Sequence, residues 1–186
     1  KMPKLSIAEV RKAEIIEAFL RVVSEKGLSK ATVREVAETA GCSHGMVRHF
    51  FGDKESMIIE AVNYVTQKNL ADFRKRVAEH KSAVDRLKFG ISWWLERERF
   101  DIDWGWTVME LRAYSKVSAK VSEALENYYS LARSTIAGMI RGGIKSGEFR
   151  NLDADSAADL ILAELDGLLR LWYVNPKKMS LKSMAE

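Results

Sequence analysis

The chain has 186 residues with a formal net charge of +4, and 47% of it is hydrophobic, enough to bury a substantial core. Two prolines and eleven glycines leave long stretches uninterrupted, so long helices are expected, and one cysteine excludes an intramolecular disulfide. Composition makes no case for a polyanionic partner: residues 1–55 hold ten Lys/Arg against eight Asp/Glu, a net of only +2, so any such case must come from placement.

No window carries the roughly eighteen uninterrupted apolar residues of a membrane helix. The opening KMPKLSIAEV lacks the apolar centre of a secretion signal, so a cytoplasmic protein is expected. Lys1 ahead of Met2 is expected to be a cloning remnant.

In chain order, Ser6 and Glu9 form an S-x-x-E capping box. The helix they open carries Ile15, Ala18, Phe19 and Val22 at i, i+3, i+4 and i+7, and Gly27 ends it. Thr32 and Glu35 form a second box, and Val33, Val36, Ala37 and Ala40 give the next short helix one apolar face. Gly41 suits a left-handed helix end, and Ser43 can cap a further helix whose apolar side is Val47, Phe50 and Phe51. Residues 32–51 thus read as a helix-turn-helix, leaving His44, Gly45, Arg48 and His49 on the free face.

Asp53 can cap a long helix running towards His80, and Ser82 with Asp85 marks another start. Trp93, Trp94, Trp104 and Trp106 follow within a short interval, and 99–105, RFDIDWG, is the best break between helices. A helix is expected from Val117 to about Lys145, closed by Ser146-Gly147. The last begins at Asp153 or Asp155 and ends at Asn175-Pro176, with the tail from Lys177 frayed or forming a short extra helix. No stretch reads as a convincing strand. The expected fold is all-α with eight or nine helices: a three-helix head over residues 1–52, joined by a long helix to a ligand-binding and dimerisation domain over 53–186.

The free face of the second helix is where base edges are reached when such a helix lies in the major groove. Arg48 can make a bidentate pair to guanine O6 and N7, a contact worth about 1–3 kcal/mol of discrimination. Gly45 permits close backbone approach, His44 projects beside Arg48, and His49 and Thr32 suit phosphate. Lys4 and Arg11 can add salt-sensitive attraction.

Ile15 to Phe19, Gly27, Thr32 to Ala37, Ala40 to Gly45 and Phe51 to Glu55 together resemble the TetR/AcrR family of transcriptional regulators. Trp106 with Met109-Glu110, Gly142 to Phe149 and the segment holding Leu165-Asp166-Gly167-Leu168 resemble, more loosely, its betaine-regulator-like (BetI-like) branch. The chain departs from the family pattern at Met46, Arg48 and Phe50. The resemblance implies a DNA-binding set of Thr32, Arg34, Ser43, His44, Gly45, Met46, Arg48, His49 and Lys54, with Arg34 reading bases or phosphate and Lys54 holding phosphate. It implies a homodimer on a palindromic double-stranded operator, with two helices from each protomer forming a four-helix bundle. Tyr128, Ala132, Ile136, Ile161, Leu165, Leu168 and Trp172 are the expected interface. It further implies a repressor released by a small-molecule effector; an activator, or a sensor that has lost operator control, is the alternative.

For that effector, Trp93, Trp94, Trp104, Trp106, Met109, Glu110 and Tyr114, with Asp101 and Asp103 nearby, offer aromatic and acidic groups suited to a cation such as choline. Ordinary core packing is the competing use of these tryptophans. Catalysis, cofactor and metal are not expected. His44 and His49 are five apart and share no helix face, Cys42 fits a buried corner, and GMIRGGIKS at 138–146 has neither the spacing nor the preceding strand of a phosphate loop.

Overall fold

A computed structural model describes residues 6–96, 98–99 and 102–181. Helix α1 spans Ile7–Lys26. Ser6 Oγ accepts from the Glu9 N–H at 3.2 Å and the Glu9 carboxylate accepts from the Ser6 N–H at 2.7 Å, so the first capping box is complete. Gly27 stops the helix, and a 3-10 turn, Leu28–Lys30, leads to α2, Val33–Ala40. There the expected box is only half formed. Thr32 Oγ takes the Glu35 N–H at 3.2 Å, but the Glu35 carboxylate is drawn to the Lys26 ammonium, a stronger partner than a backbone amide.

Gly41 sits in the left-handed region at φ 62° and ψ 39°, with its N–H on Glu38 O and the Cys42 N–H on Ala37 O. That pair of bonds is a Schellman ending, which absorbs carbonyls a helix end would leave unpaired. Ser43 then caps α3, His44–Phe51, through the Met46 N–H at 3.2 Å. Asp53 accepts from the Ser56 N–H at 2.8 Å at the head of α4, Lys54–Val77. This helix stops one turn short of the expected His80.

After Ser82 comes α5, Ala83–Leu95. The expected break between helices contains two short strands, β1 Glu98–Arg99 and β2 Ile102–Asp103, antiparallel with Glu98 opposite Asp103 and Arg99 opposite Ile102. The expectation of no strand is corrected to that extent: two-residue strands are too short for an alternating pattern to reveal. Asp103 caps α6, Trp104–Ser115, which therefore begins inside the predicted break. Then come α7, Ala119–Ser146, and α8, Ala154–Val174, capped by Asp153 and ended by Asn175. The fold is all-α, as expected, with eight α-helices among the described residues.

Two compact units form. One contains the described residues of Lys1–Gln67 and Glu98–Leu125, the other those of Lys68–Arg97 and Glu126–Glu186, so α4 and α7 each contribute to both. In the first, Ile15, Phe19, Val36, Val47, Met57, Ile58, Val62 and Leu111 are all essentially inaccessible to solvent. Helix α1 packs against α2 and α6, and the Glu110 carboxylate accepts the Leu28 N–H at 3.0 Å. In the second, Ile136, Ala137, Ile140, Ala154, Ala158 and Leu162 form the core of an α7–α8 pair. Arg133 to Asp159 and Arg141 to Asp155 tie that pair together, and their crossed order makes the helices antiparallel. In the last turn of α7 a Cβ on Gly143 would lie 2.1 Å from the ring of Phe149, which follows the helix, so no other residue fits without displacing it.

Glu148, in the connection between α7 and α8, accepts from the Ala83 N–H at 2.8 Å, the Val84 N–H at 3.3 Å and the Ser146 hydroxyl at 2.9 Å. The Ala83 amide first, then Ser146, hold its carboxyl below the ordinary glutamate range. A carboxyl lowered on folding adds stability above its unfolded pKa and loses it as pH falls through the folded one. Urea unfolding of wild type and Glu148→Gln is expected to show the wild type ahead at neutral pH, with the gap closing below the ordinary glutamate range. A gap independent of pH would contradict this.

Candidate nucleic-acid interface

Helix α3 is two turns long, and its sides differ sharply. Val47 and Phe51 are buried and Phe50 is half-buried, while His44, Gly45, Arg48 and His49 are exposed. The exposed four are i, i+4 pairs, 44 with 48 and 45 with 49, and so form one continuous stripe. Arg48 has no ion-pair partner among the described residues, so its guanidinium is available to an incoming acceptor. His49 rests edge-on against Phe50, with ring centroids 5.4 Å apart. Met46 lies half-buried at the border of the stripe.

The remaining expected residues carry structural duties as well. Thr32 and Ser43 are the N-caps of α2 and α3. Arg34 is exposed but donates from Nε to Glu38 at 2.9 Å, an i, i+4 pair that a phosphate would have to displace. Lys54 is half-buried and its ammonium donates to the Leu28 carbonyl; burial lowers its pKa. The ammonium expected to hold phosphate thus clamps the turn before α2 in this structure. Arg11 pairs with Glu14 at 2.7 Å, and Lys4 lies outside the described residues.

The seven residues expected around an effector divide between the two units. Trp104, Trp106, Met109, Glu110 and Tyr114 belong to the first, where Trp104 is buried and Glu110 is committed to Leu28. Trp93 and Trp94 belong to the second, and Asp101 lies outside the described residues. Trp93 packs edge-on to Phe73 at 5.1 Å and turns its Nε1 towards Asp72 at 3.5 Å. Trp94 stacks on Tyr128 at 6.0 Å, and its Nε1 is buried without a hydrogen-bond partner. Asn69 on α4, only 4% exposed, likewise has neither its amide nitrogen nor its amide oxygen paired. Sequence reasoning passed over Asn69. The signal was there, since Val62, Val65, Asn69 and Phe73 continue one helical stripe in which only the amide is polar.

Of the expected interface residues, Tyr128, Ile136 and Leu165 are buried within the chain, while Ala132, Ile161, Leu168 and Trp172 are half-buried. The apolar side chains that α8 leaves outside are Leu160 at 73%, Leu171 at 59% and Val174 at 84% exposure. With Glu164 and Gly167 they follow a four-three spacing along one face, as helices packing on helices do.

Among the described residues no group of three or more His, Cys, Asp and Glu side chains is placed to hold a metal, and no helix is long and apolar enough to cross a membrane.

Residues 15–61 match the profile for bacterial regulatory proteins of the tetR family, and residues 83–186 that for the C-terminal part of BetI-type transcriptional repressors. The HTH-type transcriptional regulator BetI of Burkholderia thailandensis is 40% identical over 83 residues, 45% of this chain and 40% of that protein. Its counterpart in Burkholderia cenocepacia is 39% identical over 88 residues, 47% and 45% of the two. The matched region thus spans less than half the length of these curated relatives. In fold, a transcriptional regulator from Saccharomonospora viridis crystallised with choline superposes with TM-score 0.85 at 22% identity, covering 94% of this chain and 91% of that one. FadR from Bacillus subtilis, in complex with stearoyl-CoA, gives 0.77 at 24% identity, covering 93% and 92%.

Replacing Ser43 by Ala removes the side-chain acceptor at the head of α3 and is expected to cost about 1 kcal/mol of stability, measured by urea unfolding. No change would show that the cap does not hold the helix.

Proposed function

Since the chain belongs to the tetR family of bacterial regulatory proteins and carries a BetI-type C-terminal part, we propose that it is a ligand-responsive repressor that binds a palindromic DNA operator as a homodimer. The observation that carries this reading is the exposed stripe of α3, with Arg48 unpaired at its centre. A positively charged fork on a capped helix that has a polar outer face is suited to a guanine edge in the major groove. Met46, Arg48 and Phe50 depart from the family pattern, and we assign the protein's own sequence preference to them. Residues 1–52 serve as the reading head and 53–186 as the effector and dimer domain. The cytoplasm is where such a regulator meets its operator.

One head reads a short site, so two related by a two-fold axis are the economical arrangement. Leu160, Leu171 and Val174 are the face we assign to that contact, in place of the side chains buried inside the chain. The effector acts by preferring the conformation that does not bind DNA, and its influence is limited by that difference in affinity. Helix α4, which contributes to both compact units, is the continuous element suited to carry it. For a cationic effector, the stacked Trp94 and Tyr128 supply an aromatic face, and the unpaired Trp94 N–H and Asn69 amide supply hydrogen bonds. The relatives bound to choline and to stearoyl-CoA illustrate the range of ligands that this fold holds. An activator would use the same head and differ only in where its operator lies.

Selection of bound sequences from random DNA is expected to enrich a palindrome. Arg48→Ala should abolish its footprint while leaving the helical circular-dichroism signal unchanged, and an unchanged footprint would sink the assignment. Separately, the double variant Leu160→Glu/Leu171→Glu is expected to sediment as a monomer where the wild type sediments as a dimer. A wild-type monomer at micromolar concentration would refute the dimer.

A further inference from the structure

The unit built from 68–97 and 126–186 holds a groove of about 550 Å³, within the usual size range of small-molecule sites. It lies between the second half of α4, the start of α5 and the second half of α7, and its lining divides by chemistry. Leu70, Phe73, Val77 and Met139 give it an apolar floor. Phe73 is buried and fixed there, stacked on Phe89 at 5.7 Å and edge-on to Trp93 at 5.1 Å.

Arg74, Lys81 and Arg86 surround that floor. Arg86 spends Nε on the His80 carbonyl at 2.9 Å, and neither Arg74 nor Lys81 has an ion-pair partner among the described residues. Glu148 is the one carboxylate in the lining, and its oxygens are already taken by the Ala83 and Val84 amides and the Ser146 hydroxyl. Three cations therefore face the space with a single, committed anion. Gly138 and Gly142, one turn apart on α7, form part of the wall, and a Cβ at either would meet nothing within 4 Å.

An apolar floor desolvates a hydrocarbon tail, and a guanidinium or ammonium at the rim makes charge-assisted hydrogen bonds to an anionic head. A cationic head would face repulsion there, and a neutral one would gain nothing from the three charges. We propose that this groove binds an anionic amphiphile, a molecule with one carboxylate head on a linear apolar tail, at a site separate from the aromatic face of Trp94. The proposal depends on the regulator reading for the consequence of binding, and not for binding itself.

The test compares three ligands with the same tail, all below their micelle concentrations: dodecanoate, dodecyltrimethylammonium and a dodecyl polyethylene glycol ether. Binding is followed by calorimetry on the full chain without DNA. Dodecanoate is expected to saturate, with the other two weaker by about tenfold or more, the order of one charge-assisted contact. Arg74→Gln/Lys81→Gln should weaken dodecanoate by a similar factor. Gly142→Leu should block it while leaving thermal stability unchanged or raised, because glycine is an unfavourable residue inside a helix. Equal binding of all three ligands, or dodecanoate binding untouched in both variants, overturns the proposal. So does binding only to phosphatidylglycerol vesicles and not to monomeric dodecanoate. Saturable dodecanoate binding by a chain that enriches no DNA sequence would leave the groove standing and remove the regulator reading. A bound operator with no dodecanoate binding would do the reverse.

Discussion

The reading surface depends on the reversal of the backbone at Gly41. A left-handed residue there lets two amides turn back onto Ala37 and Glu38, and the chain emerges with Ser43 placed to start α3. Without that ending the last carbonyls of α2 would be unpaired, and α3 would leave in another direction. Val47 and Phe51 are then buried on the inner side of α3, and that seating puts Arg48 and His44 outside. The exposed stripe is therefore a consequence of packing on the other side of a two-turn helix. Such a helix is far too short to hold itself in water, so its shape is borrowed from its neighbours.

Helix capping was legible because it is chemistry over three residues. Ser6, Ser43, Asp53, Ser82 and Asp153 all accept the amides that their spacing foretold. Where a side chain takes a partner that local spacing does not suggest, that partner is distant in sequence. Glu35 leaves its own helix end for Lys26, and Lys54 turns to a carbonyl twenty-six residues back. Neither choice leaves a trace in local spacing.

The body was harder to read for a different reason. Helix α8 is apolar on more than one side, and periodicity reports that apolar faces exist without saying which one the rest of the chain covers. Leu165 turns inward and Leu160 and Leu171 outward, although nothing in their identities distinguishes them. The tryptophans posed the same difficulty in another form: closeness in sequence suggested a cluster, yet the paired strands β1 and β2 fall between Trp94 and Trp104 and the two belong to different compact units. The polar Asn69 in an apolar stripe was the more informative exception, since a buried amide without partners costs about 1–3 kcal/mol and stands out against the residues around it.

Leu28 occupies a position whose importance its side chain does not convey. Its N–H is held by the carboxylate of Glu110 from α6, and its C=O by the ammonium of Lys54 from α4. The two peptide groups flanking this residue are thus each held by a charged side chain, one by an anion and the other by a cation. Glu110 and Lys54 are 56 positions apart, yet both are fastened to the main chain of this one residue. Loss of either would leave a main-chain group of Leu28 without the partner it has in the fold, a penalty that falls on the turn and not on the side chain that remains.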